Sequence, residues 1–145
     1  MVIIVTAGGG LLQNDFGEYL LIYRNGRWDL PKGVRNEGEA LADTALREVR
    51  EECGIENITI GRLIVCTWHS YWVDRDVVFK QTHWYHMHVQ GKPIPSPQTE
   101  EGIEQCCWCS LEEAWARINQ SYPSIRWLFR RATQGPAPAS PAPLS

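Results

Sequence analysis

The sequence has no excess of basic residues. Its 14 Lys and Arg residues are outnumbered by 17 Asp and Glu residues, which gives a formal net charge of −3 at pH 7. Proteins that bind nucleic acid or anionic membrane surfaces usually present a positive field. The composition therefore argues against both partners, and an anionic substrate would need a metal ion or a few placed Lys and Arg side chains.

Long apolar runs and targeting signals are also missing. No stretch reaches the ~18 apolar residues of a membrane-spanning helix. The N-terminal segment Met1–Ala7 lacks the positive charge and the apolar length of a secretory signal peptide. The five Cys residues are an odd number, which argues against a complete disulfide framework. We therefore expect a cytoplasmic protein with reduced thiols and no membrane association.

The length of 145 residues suits a single domain with one core. We expect residues 1–133 to form this domain. The stretch 134–145 is rich in Pro and Ala and cannot bury enough apolar surface to fold. It is therefore predicted to be a disordered tail.

Apolar and β-branched runs separated by turn residues predict the strands. The predicted turns are Gly8–Gly10, Asn25–Gly26 and Asp74–Asp76, and the segment Leu30–Gly33 is predicted to be a loop. The predicted strands lie between these breaks, at Val2–Ala7, Glu18–Tyr23, two to four segments of 58–89, and Gln105–Cys109.

Three helices complete the pattern. The stretch Glu39–Cys53 contains no Gly or Pro and repeats apolar residues at helical spacing, and Gly54 stands where a helix commonly ends. Ser110 and Glu113 form the capping-box pattern of a second helix, and a third helix follows Pro123. These elements predict an α+β fold in which helices pack on a mixed sheet.

The predicted first helix carries a cluster of like charges. Glu48, Glu51 and Glu52 are related by steps of three and four residues and therefore share one face. Like charges at this spacing repel each other by about 0.2–0.5 kcal/mol per pair. Crowded carboxylates supply the oxygen ligands that Mg²⁺ prefers, and a neighbouring Arg47 could hold one of them by a bidentate hydrogen bond. A solvated acidic face would show the same spacing, so charge alone leaves both interpretations open.

The complete spacing adds a family resemblance. Gly33, then Glu39 after five residues, then Arg47-Glu48-Val49-Arg50-Glu51-Glu52-Cys53-Gly54-Ile55 after seven more resembles the complete Nudix box. The lead-in Trp28–Gly33 and the acidic loop Pro97–Ile103 are also similar to the family pattern. The resemblance implies a Nudix-type α/β/α sandwich around a mixed β-sheet. It also implies Mg²⁺-dependent hydrolysis of a pyrophosphate linkage in a nucleoside diphosphate derivative, with Mn²⁺ able to substitute.

The resemblance further implies a metal site. Glu51 and Glu52 would bind the ion, and Glu48 would be a third carboxylate ligand or the base that activates water. The carbonyl oxygen of Lys32 would complete the metal shell. Glu39 would be a further ligand or would orient the helix.

Other catalytic groups are implied in the same way. Arg47 would orient one of the glutamates of the box. Nudix members also tend to use one Glu from a loop outside the box, and here this residue is either Glu100 or Glu101.

Tyr71 bears on the substrate. It lies 16 residues after Ile55, about where Nudix members that act on diadenosine polyphosphates carry a Tyr. The Pro that marks ADP-ribose hydrolases near this place is absent. A dinucleoside polyphosphate is therefore one candidate substrate, although Tyr71 fits equally well as an aromatic residue of the sheet.

Further residues are candidate contacts for the substrate. His69 precedes Tyr71 on the same predicted strand and could contact a phosphate or a base. Arg24, Lys32 and Lys80 are candidate phosphate contacts. A nucleoside triphosphate, a nucleoside diphosphate sugar and a capped RNA end remain open as substrates, and so does a homodimer as the assembly.

Two other functions fit the same fold. A non-catalytic, ligand-sensing Nudix domain is one alternative, but such domains usually carry a degraded box and a separate DNA-binding domain. An isomerase acting on isopentenyl diphosphate is another alternative. It would need an additional Cys and Glu pair, for which Cys66 is a candidate, and the intact hydrolase box argues against it.

Overall fold

The computed structural model describes residues 1–134. Its elements in chain order are β1 (Val2–Gln13), β2 (Tyr19–Arg24), β3 (Arg27–Asp29), β4 (Lys32–Val34), α1 (Leu41–Cys53), β5 (Thr59–Val73), β6 (Asp76–His88), β7 (Ile103–Cys109), α2 (Leu111–Ile118) and α3 (Pro123–Gln134). A short 3₁₀ helix, Thr99–Glu101, precedes β7. The predicted tail lies outside the described residues except for Gln134, which ends α3.

The strands form one mixed sheet of seven. The strand order is β3-β2-β1-β6-β5, with β4 paired to β1 and β7 paired to β2. β1 and β6 run parallel, whereas β5 and β6 form a long antiparallel hairpin. The hairpin turns at Asp74 and Arg75, so the predicted tip is confirmed and the segment 58–89 contains two strands.

Helices cover both faces of the sheet. Leu11 and Leu12 are neighbours on β1 and point to opposite faces, where both are buried. Leu12 packs in a core cluster with Val49 of α1. Leu11 packs in a second cluster with Ile118 of α2 and Phe129 of α3. The predicted α+β class and its helix–sheet–helix layering are confirmed. Within residues 1–134, no helix is long and apolar enough to cross a bilayer.

The predicted turn at Gly8–Gly10 is wrong, because β1 continues through all three residues. A Cβ atom on Gly8 would lie 2.9 Å from the backbone nitrogen of Ala45 in α1. A Cβ atom on Gly9 would lie 2.6 Å from the carbonyl oxygen of Pro31. These glycines let α1 and the chain before β4 approach the sheet closely, so they serve packing rather than chain reversal.

The predicted loop Leu30–Gly33 is wrong for its last two residues. Lys32 and Gly33 belong to β4 and pair with Gly9 and Gly8 of β1. The first residue of the box therefore lies on a strand. The remainder of the box runs into α1, which ends at Cys53 and is capped by Gly54 in the left-handed conformation with φ 65°.

Candidate active site

Arg47 connects the acidic residues of the box. Its Nε and Nη2 atoms donate hydrogen bonds to the two carboxylate oxygens of Glu39, at 2.8 and 2.9 Å. Its Nη1 atom donates to Glu48 at 2.6 Å and lies 3.5 Å from Glu51. The Val34 carbonyl accepts a further bond of 3.1 Å from Nη2. Arg47 therefore ties the acidic face of α1 to β4 and holds Glu39 and Glu48 in place.

Glu39 has protein donors on both carboxylate oxygens. Besides Arg47, it accepts hydrogen bonds from the Thr44 hydroxyl at 2.7 Å and from the Asn36 N–H at 3.1 Å. The bonds from Arg47, then those from Thr44 and Asn36, lower the pKa of Glu39 to about 2. This arrangement favours the orienting role for Glu39 over the role of a metal ligand.

Glu48 lies directly over the backbone of β4. A Cβ atom on Gly33 would clash with the Glu48 carboxyl group, so this position of Glu48 requires Gly at position 33. Burial raises the pKa of Glu48, and the negative charges of Glu51 and Glu101 act in the same direction, while Arg47 opposes them. Burial is therefore the largest influence on the pKa of this carboxyl group.

Glu52 points into the protein. Only 2% of its surface is exposed, and its carboxylate accepts a hydrogen bond from the Lys32 N–H at 3.0 Å and from Arg24 at 3.3 Å. Burial raises the pKa of Glu52 to about 7, although Arg24 and Lys32 favour its charged form. The backbone of Lys32, predicted to contribute a metal ligand, is thus in direct contact with a carboxylate of the box.

The carboxylates suit a hard divalent cation by their chemistry. Within residues 1–134, no three acidic, His or Cys side chains form a preassembled metal cage. Arg47 and Arg24 neutralise the box glutamates instead. Glu48, Glu51 and Glu52 nevertheless offer carboxylate oxygens on successive turns of one helix face, which is the donor type that Mg²⁺ prefers. Glu51, with 48% of its side chain exposed, is the most accessible of the three.

A cavity of about 350 Å³ lies beside the box. Arg24 and Lys32 line this cavity and also contact Glu52. Lys80 adds a third cation to the lining. Burial lowers the pKa of Lys80, and the neighbouring charges of Lys32 and Arg24 lower it further. The volume is in the range of about 300–1,000 Å³ that is typical of small-molecule sites.

The structure separates the predicted substrate contacts. Arg24, Lys32 and His69 line the cavity. Tyr71 is outside the lining, although its ring centroid lies 5.7 Å from that of His69 and 5.6 Å from the Lys80 Nζ atom. Tyr71 therefore borders the cavity through these two residues.

The acidic loop shows a similar separation. Glu101 lines the cavity, whereas Glu100, which precedes it in the same 3₁₀ helix, is absent from the described lining. Glu101 also acts electrostatically on Glu48. Position alone therefore favours Glu101 over Glu100 as the additional acidic residue.

Several cavity residues escaped the sequence analysis. Asp29 is 4% exposed and accepts hydrogen bonds from the Lys32 Nζ atom at 3.1 Å and from the Leu30 N–H at 2.8 Å. The one feature of the sequence that could have indicated Asp29 is its position as an acidic residue between Trp28 and Leu30. The other missed residues come from distant strands, from α3 and from the residue just before α3, and no local motif marks them: Thr67, Thr82, Tyr122 and Ser124.

Comparisons with known proteins agree with this architecture. The structure of the dihydroneopterin triphosphate pyrophosphohydrolase of E. coli matches with a TM-score of 0.71 and 17% identity, covering 87% of this chain and 92% of that one. A binary complex of the Ap4A hydrolase of C. elegans matches with a TM-score of 0.67 and 23% identity, covering 90% and 96%. At these identities the likeness concerns the fold.

Sequence comparison gives the family directly. The putative mutator protein MutT4 of Mycobacterium tuberculosis is 32% identical over 137 residues, which cover 84% of this chain and 51% of that protein. Nudix hydrolase 10 of Arabidopsis thaliana is 36% identical over 77 residues, which cover 52% and 28%. The chain thus spans about half the length, or less, of these relatives. The model of the NUDIX domain matches residues 4–128, and the chain therefore belongs to the Nudix family.

Proposed function

We propose that this protein hydrolyses a pyrophosphate linkage in a nucleoside diphosphate derivative, with Mg²⁺ as its cofactor. One observation carries the proposal: Arg24 and Lys32 contact Glu52 of the box and also line the adjoining cavity. The carboxylates that would bind a cation therefore lie next to basic side chains that would bind an anion. A diphosphate is a group that uses both, because it binds Mg²⁺ and basic side chains together.

Glu48, Glu51 and Glu52 are the residues that would hold the metal, and the Lys32 carbonyl would assist them. When bound, Mg²⁺ would neutralise charge on the diphosphate and lower the pKa of a bound water; Mn²⁺ would serve the same purpose. The arginines that now neutralise Glu48 and Glu52 would then share these carboxylates with the ion. Arg47 would keep Glu48 oriented through its 2.6 Å bond.

Two carboxylates could accept the proton of the attacking water. Glu48 has a raised pKa and a fixed orientation, both of which suit a general base. Glu101 lines the cavity and is the second candidate. Arg24, Lys32 and His69 would contact the phosphates of the substrate.

Among substrates, we place a dinucleoside polyphosphate first. Tyr71 lies beside two residues of the cavity lining, His69 and Lys80, and one protein of similar fold is an Ap4A hydrolase by its name.

A non-catalytic, ligand-sensing domain is the second candidate function, and the complete box argues against it. The five free thiols fit a reducing cytoplasm, and a homodimer is compatible with this function.

A metal-dependent phosphate-release screen tests the proposal. Diadenosine tetraphosphate, ADP-ribose, sugar nucleotides and (deoxy)nucleoside triphosphates would be offered with and without Mg²⁺, and the products identified by chromatography. Glu52→Gln is the inactive control, and Glu112→Gln, an exposed Glu on α2, is the matched active control. Cleavage of the dinucleotide supports both the reaction and the role of Tyr71. Cleavage of another compound supports the reaction but not the role of Tyr71. Binding of a compound without turnover of any compound favours the sensor domain.

A further inference from the structure

We propose that this protein forms a homodimer in which the outer edge of β5 pairs antiparallel with the same strand of a second copy. Within residues 1–134, β5 pairs with β6 alone and therefore ends the sheet on that side. The outer edge presents backbone N–H and C=O groups that another strand can use. The inference concerns an interface and is independent of the reaction proposed above.

The outer edge of β5 lacks the residues that protect an edge strand. The stretch 63–73 contains no Asp, Glu, Lys, Arg, Pro or Gly, whereas edge strands commonly carry charges or Pro that discourage pairing. The register with β6 shifts twice before Val65 and is regular from Val65 to Val73. This regular run is longer than the average strand of about 5–6 residues, so it can support a continuous ladder with another strand.

The other margins of the sheet are better protected. β3, at the opposite end of the strand order, is three residues long and carries Arg27 and Asp29. In the described part of the chain β7 pairs only with β2, and it carries Glu104. Short length and charge both discourage edge pairing. The regular run of β5 has neither form of protection.

Aromatic side chains on β5 are accessible to a partner. Trp72 is 71% exposed, and Trp68, four residues earlier on the same face of the strand, is half-buried. Val65 lies on the opposite face, where it packs in one cluster with Leu128 of α3. The two Trp side chains therefore point away from α3. Aromatic side chains that face each other across an antiparallel pair stabilise it, and a second copy of β5 would supply such side chains.

A second copy suits this edge better than the remaining part of the chain does. The stretch 135–145 has Pro at four positions, and Pro lacks the N–H group that a ladder requires. The chain has a net charge of −3, so two copies repel each other least across an uncharged surface. A two-fold axis at the edge makes the two β5 strands antiparallel, and one surface then serves both copies.

Sedimentation velocity of the full chain, combined with hydrogen exchange, tests the interface. We expect a monomer–dimer equilibrium at micromolar protein concentrations. Amide exchange in the stretch 65–73 should slow where the dimer dominates, because the outer N–H groups then donate to the partner strand. Exchange in β7 is the internal reference and should not depend on protein concentration.

Substitutions distinguish pairing at the edge from packing on the sheet face. Trp72→Lys and Ser70→Lys should each raise the dissociation constant of the dimer about tenfold or more, because each change occurs twice in a two-fold interface and brings like charges together. Trp72→Phe should retain the dimer. Ile4→Lys is the matched control. Ile4 is 68% exposed and shares the sheet face of Ser70, but it lies two strands away from the edge.

Three results would overturn the interface. They are a chain that stays monomeric throughout the micromolar range, a dimer whose formation leaves exchange in 65–73 unchanged, and a dimer that Ile4→Lys weakens as much as Trp72→Lys does. The last result would place the contact on the sheet face. Thermal melting checks that each variant folds. If a Lys variant does not fold, hydrogen exchange of the unaltered protein decides the question.

Discussion

The carboxyl group of Glu48 lies so close to Gly33 that a Cβ atom on residue 33 would clash with it. The first glycine of the box therefore makes room for a side chain 15 residues later in the same motif. Arg47 holds this carboxylate from the other side at 2.6 Å. The spacing of the box is thus a packing relationship between β4 and α1.

Gly33→Ala should reduce turnover about 100-fold, because the added methyl group displaces Glu48 and small misplacements of catalytic groups are costly. The backbone at Gly33 lies outside the left-handed region, so Ala can adopt it and the fold should persist. Steady-state kinetics and thermal unfolding would be measured together. Gly61→Ala on β5 is the control. Unchanged kcat in Gly33→Ala would remove Glu48 from the catalytic machinery.

Glu51→Gln and Glu52→Gln should each reduce kcat by roughly 100- to 1,000-fold, because each removes a negative charge that a bound cation requires. Mg²⁺ should raise the melting temperature of the wild type, since it binds the folded state, and raise that of either variant much less. Differential scanning calorimetry with and without Mg²⁺ would show this. A variant with wild-type turnover and a wild-type Mg²⁺ shift would exclude that residue from the metal site.

Acid stability should report on the pair of Glu39 and Arg47. The pKa of Glu39 is lowered from 4.5 to about 2, chiefly by Arg47. The charged carboxylate therefore stabilises the folded state above pH 4.5, and this contribution is lost as the pH falls towards 2. Glu39→Gln should melt below the wild type at pH 7, and the difference should narrow between pH 4.5 and 2. If the difference in melting temperature between Glu39→Gln and the wild type does not change with pH, the lower stability of the variant results from altered geometry and not from the lost charge.

Lys80→Met should stabilise the ligand-free protein and weaken substrate binding. The Lys80 ammonium is partly buried near Lys32 and Arg24, and its pKa is lowered accordingly. Removing it relieves like-charge repulsion, so the melting temperature should rise. A lost charge-assisted contact should raise KM about tenfold or more while kcat changes less. Lys92→Met is the surface control. An unchanged KM would place the phosphates of the substrate away from Lys80.

Local sequence patterns were sufficient to predict α1 and the tip of the long β5–β6 hairpin. Helix formers followed by Gly54 predicted α1 to within two residues at its start, and the tip of the β5–β6 hairpin was predicted correctly. The same reasoning failed at Gly8–Gly10. A run of glycines suggests a turn when only the chain itself is considered. Here the absence of side chains is required by α1 and Trp84, which lie far away in sequence.

The sequence by itself determined the family of this chain and the acidic face of its box. The identity and spacing of the box residues are local properties of β4 and α1, so the acidic face, its Arg47 and the family could be identified without coordinates. The tertiary structure decided which groups line the cavity beside the box. Asp29, Thr67, Thr82 and Ser124 line one cavity because strand register and the packing of α3 against β5 bring them to it. Such contacts depend on packing across the whole sheet, which no local pattern records.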